Sequence, residues 1–132
     1  MMKGLDHVGI AVENLDRAIE TYTRILGVSV QHREKLSERN LEVAFMEAGN
    51  VMIELISPTS EESTVHRFLA GKGEGLHHIA LKTDDVEAAV RSLASQSFGI
   101  AQKPQKGAHG RTVAFLHPKD CHGVLIELVQ ES

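Results

Sequence analysis

Tryptophan is absent and Tyr22 is the only tyrosine, which leaves little material for an aromatic ligand cage or a base-stacking platform. A single cysteine, Cys121, excludes an internal disulfide framework and a thiolate-rich zinc site. The longest apolar stretches, such as Val8 to Val12, fall far short of a membrane span. Met1-Met2-Lys3-Gly4 leads straight into structure-like sequence without a signal-peptide pattern, so a cytoplasmic location is expected. Basic residues are in deficit, 14 against 18 acidic for a net charge of −4, and they form no run. Nucleic acid and anionic membranes are therefore poor candidates as partners. With 132 residues, 42% hydrophobic and 24% charged, the chain is expected to form a single soluble domain with a modest core. The one excess is histidine, of which there are eight.

The sequence repeats itself. Asp6-His7-Val8-Gly9-Ile10-Ala11-Val12 pairs with His77-His78-Ile79-Ala80-Leu81-Lys82-Thr83, Val43-Ala44-Phe45-Met46 with Val113-Ala114-Phe115-Leu116, and Val51-Met52-Ile53-Glu54-Leu55 with Val124-Leu125-Ile126-Glu127-Leu128. The three matches keep their order at nearly one shift, the mark of a tandem duplication. Each half reads as a strand, roughly 5–12 or 76–83, then an amphipathic helix, carried by Leu15, Ala18, Ile19, Tyr22 and Ile25 or by Val86, Ala89, Val90 and Leu93. Asn14 and Asp84 are placed to cap the helix starts, and Gly27 to end the first. Three strands follow in each half, roughly 28–34, 41–48 and 51–57, then 100–104, 111–117 and 123–130. The expected fold is α+β, with tandem βαβββ modules at about 4–57 and 76–130 forming one domain as a cup. A linker at 58–75 carries a short helix near Ser63 to Leu69.

Side chains alternate along a strand, so His7 shares its face with Gly9 and Ala11, and His78 with Ala80. Each histidine thus faces a roomy surface. Glu54 and Glu127 lie in strands that are apolar in both parities and therefore buried on both sides. An unpaired carboxylate there costs several kcal/mol, so each requires a cation or hydrogen-bonding partner. Either residue type alone is usually structural; two His/Glu pairs at matched positions point to one shared divalent ion held by His7, Glu54, His78 and Glu127. Such a cluster is formally neutral and leaves two octahedral positions for a chelating substrate. His77 faces the other way and reads as structural, His32, His66 and His122 as surface or turn residues, and Cys121 as incidental.

This pattern resembles the vicinal oxygen chelate (glyoxalase/bleomycin resistance/dioxygenase) superfamily. Within it, Ser63-Thr64-Val65-His66-Arg67-Phe68-Leu69, Gly73-Glu74-Gly75-Leu76-His77-His78-Ile79-Ala80, Gly107-Ala108-His109-Gly110 and above all His117-Pro118-Lys119-Asp120-Cys121-His122-Gly123-Val124-Leu125-Ile126-Glu127-Leu128 are similar to the methylmalonyl-CoA epimerase family. The resemblance implies His7, His78 and Glu127 as metal ligands, with Glu54 where some epimerases carry glutamine. It implies an acyl-CoA substrate inverted at C2 through an enolate, a divalent ion such as Co2+, Mn2+ or Ni2+, and a homodimer. Glu127 and Glu42 are the candidate catalytic residues. Some relatives carry a glutamate on the third strand where this chain has Val43, so Glu42 would need a bulge to replace it. Lys119, Arg111, His109 and Lys106 are the cations available to the CoA phosphates. Glu54 also fits glyoxalase I, a lactoylglutathione lyase, and a non-enzymatic small-molecule binder of the same fold is the other alternative. A second carboxylate disfavours an iron dioxygenase.

Overall fold

The structure, a computed structural model, describes residues 2–131. They form two compact units, one running His7–His77, the other made of the residues up to Asp6 together with those from His78 on. The first strand, β1 (Met2–Ala11), therefore passes from one unit into the other between Asp6 and His7.

In the His7–His77 unit, β1 is followed by α1 (Leu15–Leu26), β2 (His32–Leu36), β3 (Leu41–Ala48), β4 (Val51–Pro58) and α2 (Thr64–Lys72). The strand order is β2-β3-β4-β1, with β1 parallel to β4 and the other neighbours antiparallel. The other unit repeats the plan with β5 (Gly75–Thr83), which enters it at His78, α3 (Val86–Ser95), β6 (Ile100–Lys106), β7 (Thr112–Leu116) and β8 (Ile126–Gln130) in the order β5-β8-β7-β6. The duplicated βαβββ grammar expected from the sequence is thus present as two α+β modules.

Helix α1 lies on one face of its sheet. Leu15, Ala18, Ile19, Tyr22 and Leu26 pack with Val12, Ala44, Met46 and Leu55, and Ile10 and Ile53 join them. Ile25, expected on this stripe, is 67% exposed because one residue turns the helix by about 100° and Leu26 takes the inward position. In the other unit Val86, Ala89, Val90 and Leu93 of α3 meet Ala114, Leu116 and Leu128. Each fully buried side chain of this kind contributes about 1.5–3 kcal/mol, against about 1 kcal/mol for a cap, so burial of the stripe holds these helices in place.

The caps refine their ends. Asn14 accepts from the Arg17 N–H at 3.0 Å, and Gly27 adopts the left-handed conformation (φ 73°) that a side chain would resist. The second helix is capped by Asp85, which accepts from the Ala88 N–H, and not by Asp84 as expected. Two strands also begin later than expected. Val28 and Val30 pack against the α1 cluster instead of joining β2. Gly123 has φ 90° and Val124 is held in a turn by Cys121, which delays β8 to Ile126.

Candidate metal centre

Strand parity sorts the chemistry. In the first unit Phe45 pairs with Glu54 across β3 and β4, and Gly9 with Glu54 across β1 and β4. His7, Gly9, Glu54, Val43 and Phe45 accordingly share the face turned away from α1. Gly9 adds no side chain to that face beside Glu54. The His7 Nε2 lies 3.1 Å from Glu54 Oε1, and the edge of the His7 ring meets Phe45 at 88° with centroids 5.5 Å apart. Both His7 and Glu54 are buried.

The other unit repeats this arrangement. Glu127 pairs with the small Ala80 on one side and with Phe115 on the other. His78 Nε2 lies 2.9 Å from Glu127 Oε1, and its ring stands at 83° to Phe115 at 5.8 Å. His78 and Glu127 are again buried.

Each pair has the spacing of half a metal site. Ligands about 2.1 Å from one ion and in adjacent octahedral positions stand about 3.0 Å apart. The observed separations, 3.1 and 2.9 Å, fit that spacing as well as they fit a hydrogen bond. Nitrogen and carboxylate donors without thiolate suit a borderline or hard divalent cation, whose charge would also offset the cost of burying two carboxylates. The residues present therefore fit such an ion.

Other expected site residues lie elsewhere. Glu42 is not on the Glu54 face: β3 and β4 stay in register from Leu41 to Ala48, with no bulge to turn it. It sits on the α1 side, where Arg33 Nε donates to Glu42 Oε2 at 2.9 Å and Arg33 Nη1 to Asp16 of α1 at 2.8 Å. These carboxylates raise the Arg33 pKa, Glu42 first, and tie Glu42 into a surface network instead of the face that carries His7. Arg111 is engaged by Asp6 through two hydrogen bonds. Lys119 belongs to a turn in which His117 Nδ1 accepts from the Lys119 N–H and Asp120 from the Gly99 N–H at 2.7 Å. His77 points away from His78, its ring 4.9 Å from Phe68. Cys121 packs beside the α3 cluster, and burial raises its thiol pKa, with Asp120 adding to the effect.

Sequence reasoning passed over four residues. Phe45 and Phe115 were visible as the repeated Val-Ala-Phe, but their ring contacts were not. His32, expected on a surface or in a turn, lies half-buried in β2 with Glu34, on the face that carries Glu54. The signal was the His-x-Glu alternation at 32 and 34; the expected strand 28–34 contained it but gave it the face of Val28 and Val30, which pack on α1.

Among the described residues, no helix is long and apolar enough to cross a membrane. A family model described as the glyoxalase/bleomycin resistance protein/dioxygenase superfamily matches residues 6–115. The chain is 41% identical over 128 residues to the mitochondrial methylmalonyl-CoA epimerase of Homo sapiens, covering 96% of this chain and 73% of that one. The crystal structure of methylmalonyl-CoA epimerase from Mycobacterium tuberculosis matches with a TM-score of 0.93 and 36% identity, over 99% of this chain and 89% of that one. A variant of Streptomyces coelicolor methylmalonyl-CoA epimerase, in complex with 2-nitronate-propionyl-CoA, matches with a TM-score of 0.93 and 37% identity, over 100% of this chain and 96% of that one. Likeness at this level over nearly the whole length assigns the chain to the glyoxalase/bleomycin resistance/dioxygenase superfamily, in its methylmalonyl-CoA epimerase family.

Proposed function

We propose that the chain is a metal-dependent epimerase that inverts C2 of methylmalonyl-CoA through an enolate. The observation that carries this reading is the buried His/Glu pair, present in both units of a chain from the epimerase family. In this reading His7, Glu54, His78 and Glu127 serve one divalent ion, with Co2+, Mn2+ or Ni2+ better suited than structural zinc to two imidazoles and two carboxylates. Such an ion, when bound, supplies positive charge next to the two substrate oxygens that flank C2.

The chain's own residues do the rest. Glu127 doubles as an acid/base group: its carboxylate accepts the C2 proton of one epimer, or returns a proton to the opposite face for the other. Phe45 and Phe115 wall the two imidazoles, which keeps water away and strengthens the charge interactions between them and their carboxylates. Lys106, His109 and Lys119 are the cations assigned to the CoA phosphates, Arg111 being held by Asp6. A cytoplasmic homodimer is part of the proposal, and light scattering that finds only monomer at micromolar concentration would remove the dimer.

The test is deuterium wash-in at C2 of methylmalonyl-CoA in D2O with metal-loaded protein. Exchange with the thioester intact is expected, as is far slower exchange of propionyl-CoA, which lacks the second chelating group. Absence of exchange together with turnover of a glutathione hemithioacetal would overturn the reading in favour of a lactoylglutathione lyase.

A further inference from the structure

Epimerisation requires a proton-transfer group on each face of C2. Glu127 accounts for one. The position of the third-strand glutamate of some relatives is Val43 here, and Glu42 faces α1. The face of the first unit that carries His7 and Glu54 holds a further ionisable pair.

Strand β2 supplies it. In register, His32 stands opposite Phe45 and Glu34 opposite Val43, so both side chains share the Glu54 face while Arg33 and Lys35 take the other. The His32 Nε2 lies 2.9 Å from Glu34 Oε1. The His32 ring leans on Phe45, with centroids 6.3 Å apart, and Phe45 meets His7 in turn. Two strand spacings separate the His32 and Glu54 backbones, about 10 Å, a gap suited to a malonyl unit between a chelating centre and a base. With side chains 35% and 30% exposed, His32 and Glu34 can meet a ligand yet are sheltered.

The two units differ at this place. Where the first has His32 opposite Phe45 and Glu34 opposite Val43, the other has Gln102 opposite Phe115 and Gln105 opposite Val113. The metal pair is duplicated and the ionisable edge is not, as expected if the edge group is needed once. A rim ion pair would contribute little to stability, at most about 1 kcal/mol, which gives folding small reason to keep this one.

We propose that His32 is the second proton-transfer group of the epimerase and that Glu34 is its positioning residue. The inference rests on the epimerase reading above. The Glu34 carboxylate accepts from the Nε2–H, leaving the lone pair on Nδ1, the tautomer control seen wherever a carboxylate holds a catalytic imidazole. For one epimer the C2–H bond breaks, its electrons remain as the enolate, the proton goes to His32 Nδ1, and the enolate takes a proton at C2 from the group acting on its other face. For the other epimer protonated His32 returns the proton to C2.

The experiment incubates each C2 epimer of methylmalonyl-CoA with metal-loaded protein in D2O and follows deuteration and inversion separately. The parent should do both. His32→Ala should lose inversion by 100-fold or more while one epimer still exchanges with retention within tenfold of the parent, at unchanged metal content. Glu34→Gln should lose inversion by about tenfold to 100-fold, with Glu34→Asp restoring most of it. Val43→Glu placed in the His32→Ala background should recover inversion. Inversion by His32→Ala at the parental rate would overturn the proposal, as would equal loss of exchange for both epimers. No exchange by the parent would overturn the epimerase reading itself, and this inference with it.

Discussion

Arg111 holds Asp6 by both arms of its guanidinium, Nη1 to Oδ1 at 2.9 Å and Nη2 to Oδ2 at 2.8 Å, and Asp6 is the residue before His7. The pair is largely buried, with side chains 19% and 14% exposed. It fixes β1 at the point where the strand leaves one unit for the other. Charged hydrogen bonds in such a setting contribute about 1.5–3 kcal/mol, and a lysine cannot reproduce the fork. Arg111→Lys and Arg111→Ala should both lower Tm by several degrees and weaken metal retention through His7. Calorimetry and metal titration check this; an Arg111→Ala protein with parental values in both would remove the clamp from the site.

The proposed ligands should differ in what their removal does. His7→Ala and Glu127→Ala are expected to abolish metal retention, whereas Glu54→Gln, which keeps an oxygen donor, should weaken it less. Elemental analysis after gel filtration distinguishes these outcomes. A chelator should also lower the Tm of the parent, because an ion bound only to the folded state stabilises it by mass action, and should leave the Tm of His7→Ala unchanged.

The long C-terminal motif acts as a structural lock as well as a family signature. A Cβ on Gly99 would stand 3.0 Å from Asp120 Oδ2 and 3.3 Å from His117 Cβ, while the Gly99 N–H donates to that same Asp120 oxygen and the Gly99 carbonyl accepts from the His117 N–H. Gly99→Ala is therefore expected to cost about 1–3 kcal/mol by overpacking. Asp120→Ala should cost a comparable amount by leaving the Gly99 N–H without its acceptor. Denaturant midpoints would measure both, and a parental midpoint for either variant would contradict the lock.

The parts of this molecule that were legible in the sequence are those written twice. His7 and His78, Glu54 and Glu127, and the small residues Gly9 and Ala80 recur at matched positions, so the duplication announced the pairs and strand alternation gave their faces. Glu42 was legible as a nearby carboxylate but its face was not, because a single residue of strand register exchanges the two faces and the sequence does not print the register. His32 and Glu34 were hidden for a related reason. Val28 and Val30 look like strand residues, yet they cover α1, and the true β2 begins at His32. The Arg111 clamp joins residues 105 positions apart and has no local signal.

Cys121 should behave as an inert thiol. Burial raises its pKa and Asp120 raises it further, so the thiolate fraction near pH 7 is below that of a free cysteine and grows only as the solution becomes distinctly alkaline. Labelling by a thiol reagent at pH 7 should therefore be slower than that of glutathione, and Cys121→Ser should retain activity. Labelling at pH 7 faster than glutathione would show that the side chain is neither sheltered nor shifted upward.

Phe45 links the proposed metal site to the proposed proton-transfer edge, since it meets His7 at 5.5 Å and His32 at 6.3 Å while itself 2% exposed. Phe45→Ala would leave a cavity among these rings, and a buried phenylalanine truncated in this way costs about 3–5 kcal/mol, enough to unfold a marginal domain. Phe45→Leu is the more informative change: it keeps most of the volume and removes the flat wall against both imidazoles. That variant should stay folded with a Tm a few degrees lower, bind metal more weakly and invert methylmalonyl-CoA more slowly. Phe115→Leu, which touches His78 but has Gln102 in place of a histidine across the strand pair, should weaken metal binding to a similar degree. The contrast lies in inversion measured at saturating metal. Phe45→Leu should remain slow there, because the seat of His32 is disturbed, and Phe115→Leu should recover. Equal recovery of both variants would mean that the wall acts on the metal alone.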